Sequence, residues 1–195
     1  MRSLVSSRVQ PRALRHSTAR ATLQSSTQAI HERLHGHPEL ARLAAGTIGR
    51  ADYRRVLARS YGFYAVAEPK LDLGSEATRH LCEDLIDLGM SAAAVASLPC
   101  CAPLTIGQGP AELIGARYVV LGASLGGTVM ARAIAGRASG EPALPVRFLT
   151  GMGAHDWKTF AAGLEANLPD AGSRARAAKA ATAVFAAYER WMEKL

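Results

Sequence analysis

A disulfide framework is the first thing this sequence cannot build. It has three cysteines in 195 residues, Cys82, Cys100 and Cys101. The number is odd, two of them are adjacent and no CxxC occurs, so a reducing cytoplasm is the expected home. No uninterrupted apolar run of 18 residues is present either, which argues against a spanning helix and against a membrane as partner. The apolar stretch Tyr118–Leu121 soon meets Gly122, Ser124 and the pair Gly126–Gly127, and reads as buried and closely approached. Strand-like alternation is nearly absent, and there is no internal repeat.

Acidic residues are missing from one end only. Glu32 is the first of them, preceded by Arg2, Arg8, Arg12, Arg15 and Arg20. Without those five arginines the chain carries 18 basic against 16 acidic residues, so the formal charge of +7 belongs mostly to the N-terminal segment. That is a tail, not a face shaped for phosphates, and nucleic acid is not the expected partner of the domain. The segment has the Arg- and Ser-rich composition of a transit peptide but lacks the apolar core of a secretory signal. Residues 1–20 are read as a basic, disordered extension, or a start placed too far upstream, and 21–195 as one domain. With 49% hydrophobic and 20% charged residues, that length fills one core and not two.

What is present is helix. Ser25, Ser26 and Thr27 offer caps for a first helix carrying Ile30, His31 and Leu34, ended by Gly36 and Pro38. A short helix from Pro38 to Ala45 closes at Gly46. A third opens near Gly49 and runs through Tyr53, Leu57, Tyr61, Tyr64 and Glu68 to Pro69, with apolar and aromatic residues at spacings of three and four. A fourth runs from Ser75 to Leu88. Leu98 to Pro110, with three prolines and two glycines, is a loop. A long helix from Ala111 to Arg137 follows, then a turn from Gly140 to Pro145, then helices over His155–Asn167 and Ala171–Met192. The expected architecture is all-α, a single-domain bundle of about seven helices.

Two features carry chemistry. His31 shares a helical face with Thr27, Leu34 and His35, where a neutral imidazole among apolar neighbours makes a good iron ligand. A satisfied core histidine is the plainer alternative. Histidines at 31, 35 and 37 also raise a metal cluster, but Gly36 and Pro38 interrupt the helix before His37. No carboxylate or cysteine stands nearby at a suitable spacing for zinc. The second feature is Gly122-Ala123-Ser124-Leu125-Gly126-Gly127. A helix-interior glycine costs about 1 kcal/mol relative to alanine, so three in six residues need a reason. Gly122 and Gly126 are four apart and bare one face, for a flat ligand or for a neighbouring helix. No strand precedes them and no Lys follows, so they are not a phosphate loop.

The segment Thr27-Gln28-Ala29-Ile30-His31-Glu32-Arg33-Leu34 resembles the proximal-helix motif of haem oxygenases, with a threonine one turn before the ligating histidine. Tyr118-Val119-Val120-Leu121-Gly122-Ala123-Ser124-Leu125-Gly126-Gly127 resembles their distal helix, most of all in the bacterial branch found beside phytochromes. Tyr61-Gly62-Phe63-Tyr64 with Glu68, and Trp157-Lys158-Thr159-Phe160 with the terminal Phe185-Ala186-Ala187-Tyr188-Glu189-Arg190-Trp191, are similar to the same branch. The four segments lie in the family's order over residues 23–193.

The resemblance implies a haem oxygenase-like fold and a haem that is both cofactor and substrate. Haem would lie between a helix supplying His31 to the iron, with Thr27 beside it, and a helix approaching over Gly122 and Gly126. Dioxygen and an external electron donor such as ferredoxin or a reductase would open it to biliverdin, carbon monoxide and iron. A bacteriophytochrome is then a possible recipient of the bilin. Many members carry an Asp after the first distal glycine; Ala123 stands here, leaving Ser124 to orient water or to bond its own backbone. A Lys two turns before the histidine in some members is Gln24. Arg132, Lys158 and the Tyr118 hydroxyl are then the expected propionate partners. A non-catalytic haem- or bilin-binding protein is the alternative. A thiaminase-like enzyme would need Cys82, near Glu83 and Asp84, as nucleophile, and nothing else in the sequence supports it.

Overall fold

Thr18 opens the regular structure by accepting a hydrogen bond from the Ala21 N–H at 3.1 Å, as an N-cap does. The computed structural model describes residues 18–136, 142–151 and 154–195. Among them, nine helices follow one another without a strand: α1 (Ala19–His35), α2 (Pro38–Ala44), α3 (Arg50–Leu71), α4 (Glu76–Asp87), α5 (Ala92–Ala96), α6 (Pro110–Ala135), α7 (Arg147–Gly151), α8 (Ala154–Asn167) and α9 (Ala171–Met192). The all-α bundle is as expected. Of the expected extension over residues 1–20, Ala19 and Arg20 belong instead to α1; its part up to residue 17, the end of the long helix at Arg137 and the turn at Gly140 lie outside the described residues.

α1 begins well before the expected caps. Ser25, Ser26 and Thr27 lie inside it, and each hydroxyl donates to a carbonyl one turn back, at Thr22, Leu23 and Leu23 respectively. Hydroxyl residues that favour caps in isolation are here absorbed by the helix ladder. The Glu165 carboxylate of α8 accepts from the Ala19 N–H at 3.0 Å, covering the positive end of α1. α3 runs past Pro69 to Leu71 and stops at Asp72, which is in the left-handed region with φ 52°.

Two short helices, α5 and α7, carry little periodicity to be read in a sequence. Buried acids hold the neighbourhood of both α4 and α7. Glu68 on α3 accepts from the Ala77 and Thr78 N–H groups at 2.8 and 2.9 Å, capping α4 from outside. Asp84 on α4 accepts from the Arg147 and Phe148 N–H groups at 3.2 and 2.9 Å, and so pins α7. The loop from Leu98 to Pro110 lies against α3 where Gly62 leaves room. A Cβ there would sit 2.2 Å from the Pro99 carbonyl oxygen.

The placement of the long helices creates the site. α1 and α6 both pack along α9 but scarcely touch each other, and α3 closes the floor between them with Leu57, Phe63 and Tyr64, all buried. α6 is long and apolar enough by composition to cross a membrane; in this fold it packs on α7, α8 and α9 and forms one wall of a cavity.

Candidate functional site

The gap between α1 and α6 is a cavity of about 430 Å³, within the size range of small-molecule sites. α1 contributes Arg20, Gln24, Thr27, Gln28, His31 and His35 along one side. α6 contributes Tyr118, Gly122, Ala123 and Gly126 on the other. Phe63 and Tyr64 of α3, Phe185 and Tyr188 of α9 and Trp157 of α8 add aromatic rings to the lining. Edge-to-face pairs lock that floor: Phe63 with Tyr188 at 4.9 Å and Tyr64 with Phe148 at 5.2 Å between ring centres. Burial pushes the Tyr64 and Tyr188 hydroxyls well up from their ordinary values, so both stay neutral donors.

His31 is exposed and lines the cavity, so it is not a histidine enclosed in the core. Desolvation lowers its pKa first, and the neighbouring His35 lowers it further, while Glu32 opposes both. The neutral imidazole that a metal ligand requires is thus favoured. Thr27 is buried beside it, with its hydroxyl proton donated to the Leu23 carbonyl at 2.9 Å and so not available to His31.

The glycines of α6 divide into two tasks. A Cβ at Gly126 meets nothing within 4 Å, because that face opens on the cavity. At Gly122 a Cβ would touch the Trp157 ring at 3.4 Å, an ordinary contact. Gly127 also borders the cavity, but a side chain there would meet α7: a Cβ would lie 2.5 Å from the Leu149 carbonyl oxygen. Gly115, further back, is pressed on α9, where a Cβ would lie 1.9 Å from the Ala177 carbonyl oxygen. Ligand space and helix packing, which spacing alone left open, are therefore both served.

Three of the expected residues stand elsewhere. Ser124 is buried away from the cavity and donates its hydroxyl to the Leu121 carbonyl at 2.7 Å, the backbone bond that competes with any water-orienting role. Arg132 and Lys158 are exposed, and neither lines the cavity. Cys82 is half-buried on α4 and also outside it. Tyr118 does line the cavity, with its ring against Trp157 at 5.4 Å. Burial raises its pKa and the charge of Arg20 pulls it back, which brings the guanidinium and the phenol into one neighbourhood.

Arg20 is the residue that sequence reasoning missed, and His35, noted on the His31 face, was given no role. Arg20 fell among the tail arginines because the start of α1 was drawn too late; it shares a face with Gln24 and Thr27 at helical spacing. His35 carried the same signal, four residues after His31. Together the site offers an imidazole, an open backbone face opposite, aromatic walls and a cation with a phenol near the α1 N-terminus. These features fit a flat apolar macrocycle bearing carboxylates.

The architecture is the haem oxygenase fold. Among solved structures, this chain is similar to heme oxygenase-1 from the cyanobacterium Synechocystis sp. PCC6803 in complex with heme, with a TM-score of 0.66 and 16% identity, covering 91% of this chain and 92% of that one. No protein-family model matches the sequence, and no curated protein does.

Proposed function

We propose that this chain is a haem oxygenase of the phytochrome-associated kind, holding haem between α1 and α6 with His31 as the iron ligand. The observation that carries the proposal is that the His31 imidazole and the bare Gly126 backbone line one cavity. Haem, when bound, supplies the iron that activates dioxygen and the ring that is opened to biliverdin, carbon monoxide and iron, with electrons from an external donor such as ferredoxin or a reductase. His31 holds the iron through a neutral nitrogen. Gly122 and Gly126 let the α6 backbone lie close to the ring, and the aromatic floor excludes water. Arg20 and Tyr118 take the propionates in place of Arg132 and Lys158, since buried carboxylates need charged or hydroxyl partners. Free cysteines fit a reducing cytoplasm, and a bacteriophytochrome is the proposed recipient of the bilin.

One observation favours a second reading, a haem- or bilin-binding protein without turnover. Ala123 faces the cavity and the Ser124 hydroxyl is committed to its own helix, so the middle of α6 presents no side chain to order water. Hemin reconstitution followed by ascorbate in air separates the two. Loss of the Soret band with growth of bilin absorption is the expected result, and an unchanged Soret band leaves only the binding protein. His31→Ala is expected to lose the histidine coordination spectrum and keep the helical circular dichroism. Retention of the wild-type haem spectrum by this variant removes His31 as the ligand.

A further inference from the structure

The cavity holds a pair of groups that haem binding does not use together. His31 and His35 lie one turn apart on α1, and their Nε2 atoms are 3.3 Å from one another. The ring centres are farther apart, at 4.4 Å, so the nitrogens are the facing atoms. Both residues are exposed and both line the cavity.

We infer that His31 and His35 form a chelating site for a divalent metal ion of tetrahedral preference, zinc foremost, in the cavity without haem. The geometry sets the preference. Two nitrogens each about 2.05 Å from a tetrahedral metal are about 3.3 Å apart, whereas a square or octahedral right angle brings them to about 2.9 Å. Without a metal the two nitrogens share a hydrogen bond at 3.3 Å, and this already holds them at the tetrahedral separation. The local sequence agrees, since His31-Glu32-Arg33-Leu34-His35 places two histidines around a Glu with the spacing of the helical zinc-binding unit.

Two ligands leave two positions on the metal. Among the described residues no group of three or more His, Cys, Asp and Glu converges to fill them. His37 does not join, because it caps α2 and turns its ring to Glu39 at 3.2 Å. Glu32 is held by the Gln28 amide at 2.6 Å. Water or a small anion therefore completes the shell, and the inference extends to binding and not to hydrolysis.

Haem and this metal are mutually exclusive. The acceptor nitrogen of a neutral His31 has a single lone pair, so it would ligate either the haem iron or the smaller ion and not both. The exclusion rests on the haem reading above; the metal site does not.

The test uses the full chain without an affinity tag and without haem. Zn²⁺ affinity is measured by titration calorimetry, and Co²⁺ serves as a visible probe of tetrahedral coordination. Wild type is expected to bind one ion and to show intense tetrahedral Co²⁺ absorption. His31→Ala and His35→Ala each remove one of two linked donors and are expected to weaken binding by about 100-fold, while His37→Ala leaves it unchanged. Zn²⁺ raises the melting temperature of wild type and not of His35→Ala, a readout that also reports whether the variant folds. Unchanged Zn²⁺ affinity in His35→Ala overturns the site. Hemin is expected to abolish the Co²⁺ spectrum. If that spectrum instead persists under saturating hemin while still requiring both histidines, the metal site stands and His31 is overturned as the haem ligand.

Discussion

A Cβ added at Gly126 meets nothing within 4 Å, whereas one added at Gly127 lies 2.5 Å from the Leu149 carbonyl oxygen. The two neighbours should therefore respond in opposite ways. Gly126→Leu fills the cavity face and is expected to lose hemin binding while keeping thermal stability, since leucine is the better helix former. Gly127→Ala forces α6 off α7 and is expected to lose about 1–3 kcal/mol of stability, with hemin still bound by the folded fraction. Chemical unfolding and hemin titration of the two variants check the contrast, and normal hemin affinity in Gly126→Leu refutes the close-approach argument. At this scale the sequence showed that the glycines needed a reason but not which way each one faced. Orientation around a helix depends on the neighbours, and Leu149 and Trp157 are distant in the chain. The choice left open at Ser124, water or its own backbone, has the same cause: two residues from Gly126, it is turned into the protein and bonds the Leu121 carbonyl.

Elements are set by their ends, and two ends carry predictions. α1 reaches back to Ala19 because Thr18 and Glu165 satisfy its first N–H groups, and this extra turn brings Arg20 to the cavity. Arg20→Gln is expected to weaken hemin binding several-fold and to leave the dimethyl ester of hemin unaffected, since the ester carries no propionate charge. Equal losses for both ligands would make Arg20 a packing residue. α7 depends on the buried Asp84, whose carboxylate takes the Arg147 and Phe148 N–H groups. Burial nevertheless raises its pKa, against those bonds and the Arg147 charge. The folded chain then holds the Asp84 proton to a higher pH than the unfolded chain. Its contribution is fullest below the ordinary carboxylate value and is lost as pH rises through the folded one. Wild type should therefore gain stability relative to Asp84→Asn between pH 7 and pH 4 in urea unfolding. A relative loss on acidification would mean that the hydrogen bonds outweigh burial.

Across the whole molecule, the helical class, the single domain and the order of the long helices were legible because they rest on period and on breakers such as Gly36, Pro38 and Pro110. The cavity was not. It arises because α1 and α6 lean on α9 without closing on one another, and no local pattern reports a gap between elements some 90 residues apart. A ligand bridging that gap joins α1, α3, α6 and α9 at once. Saturation with hemin at 100 times its dissociation constant is expected to stabilise the fold by about 2.7 kcal/mol, read as a rise in melting temperature that is absent in His31→Ala. No rise in wild type would mean that the folded chain does not bind hemin in preference to the unfolded one.

The tight seats at Gly115 and Gly127 turn the stretch of α6 between them into a beam clamped at both supports. Neither support leaves room for a methyl group, so the beam cannot slide lengthwise over whatever lies beneath it. Between the two seats α8 and α9 back the helix, with Ala116 and Ser124 buried against them, so this wall of the cavity is held along its length and not only at its ends.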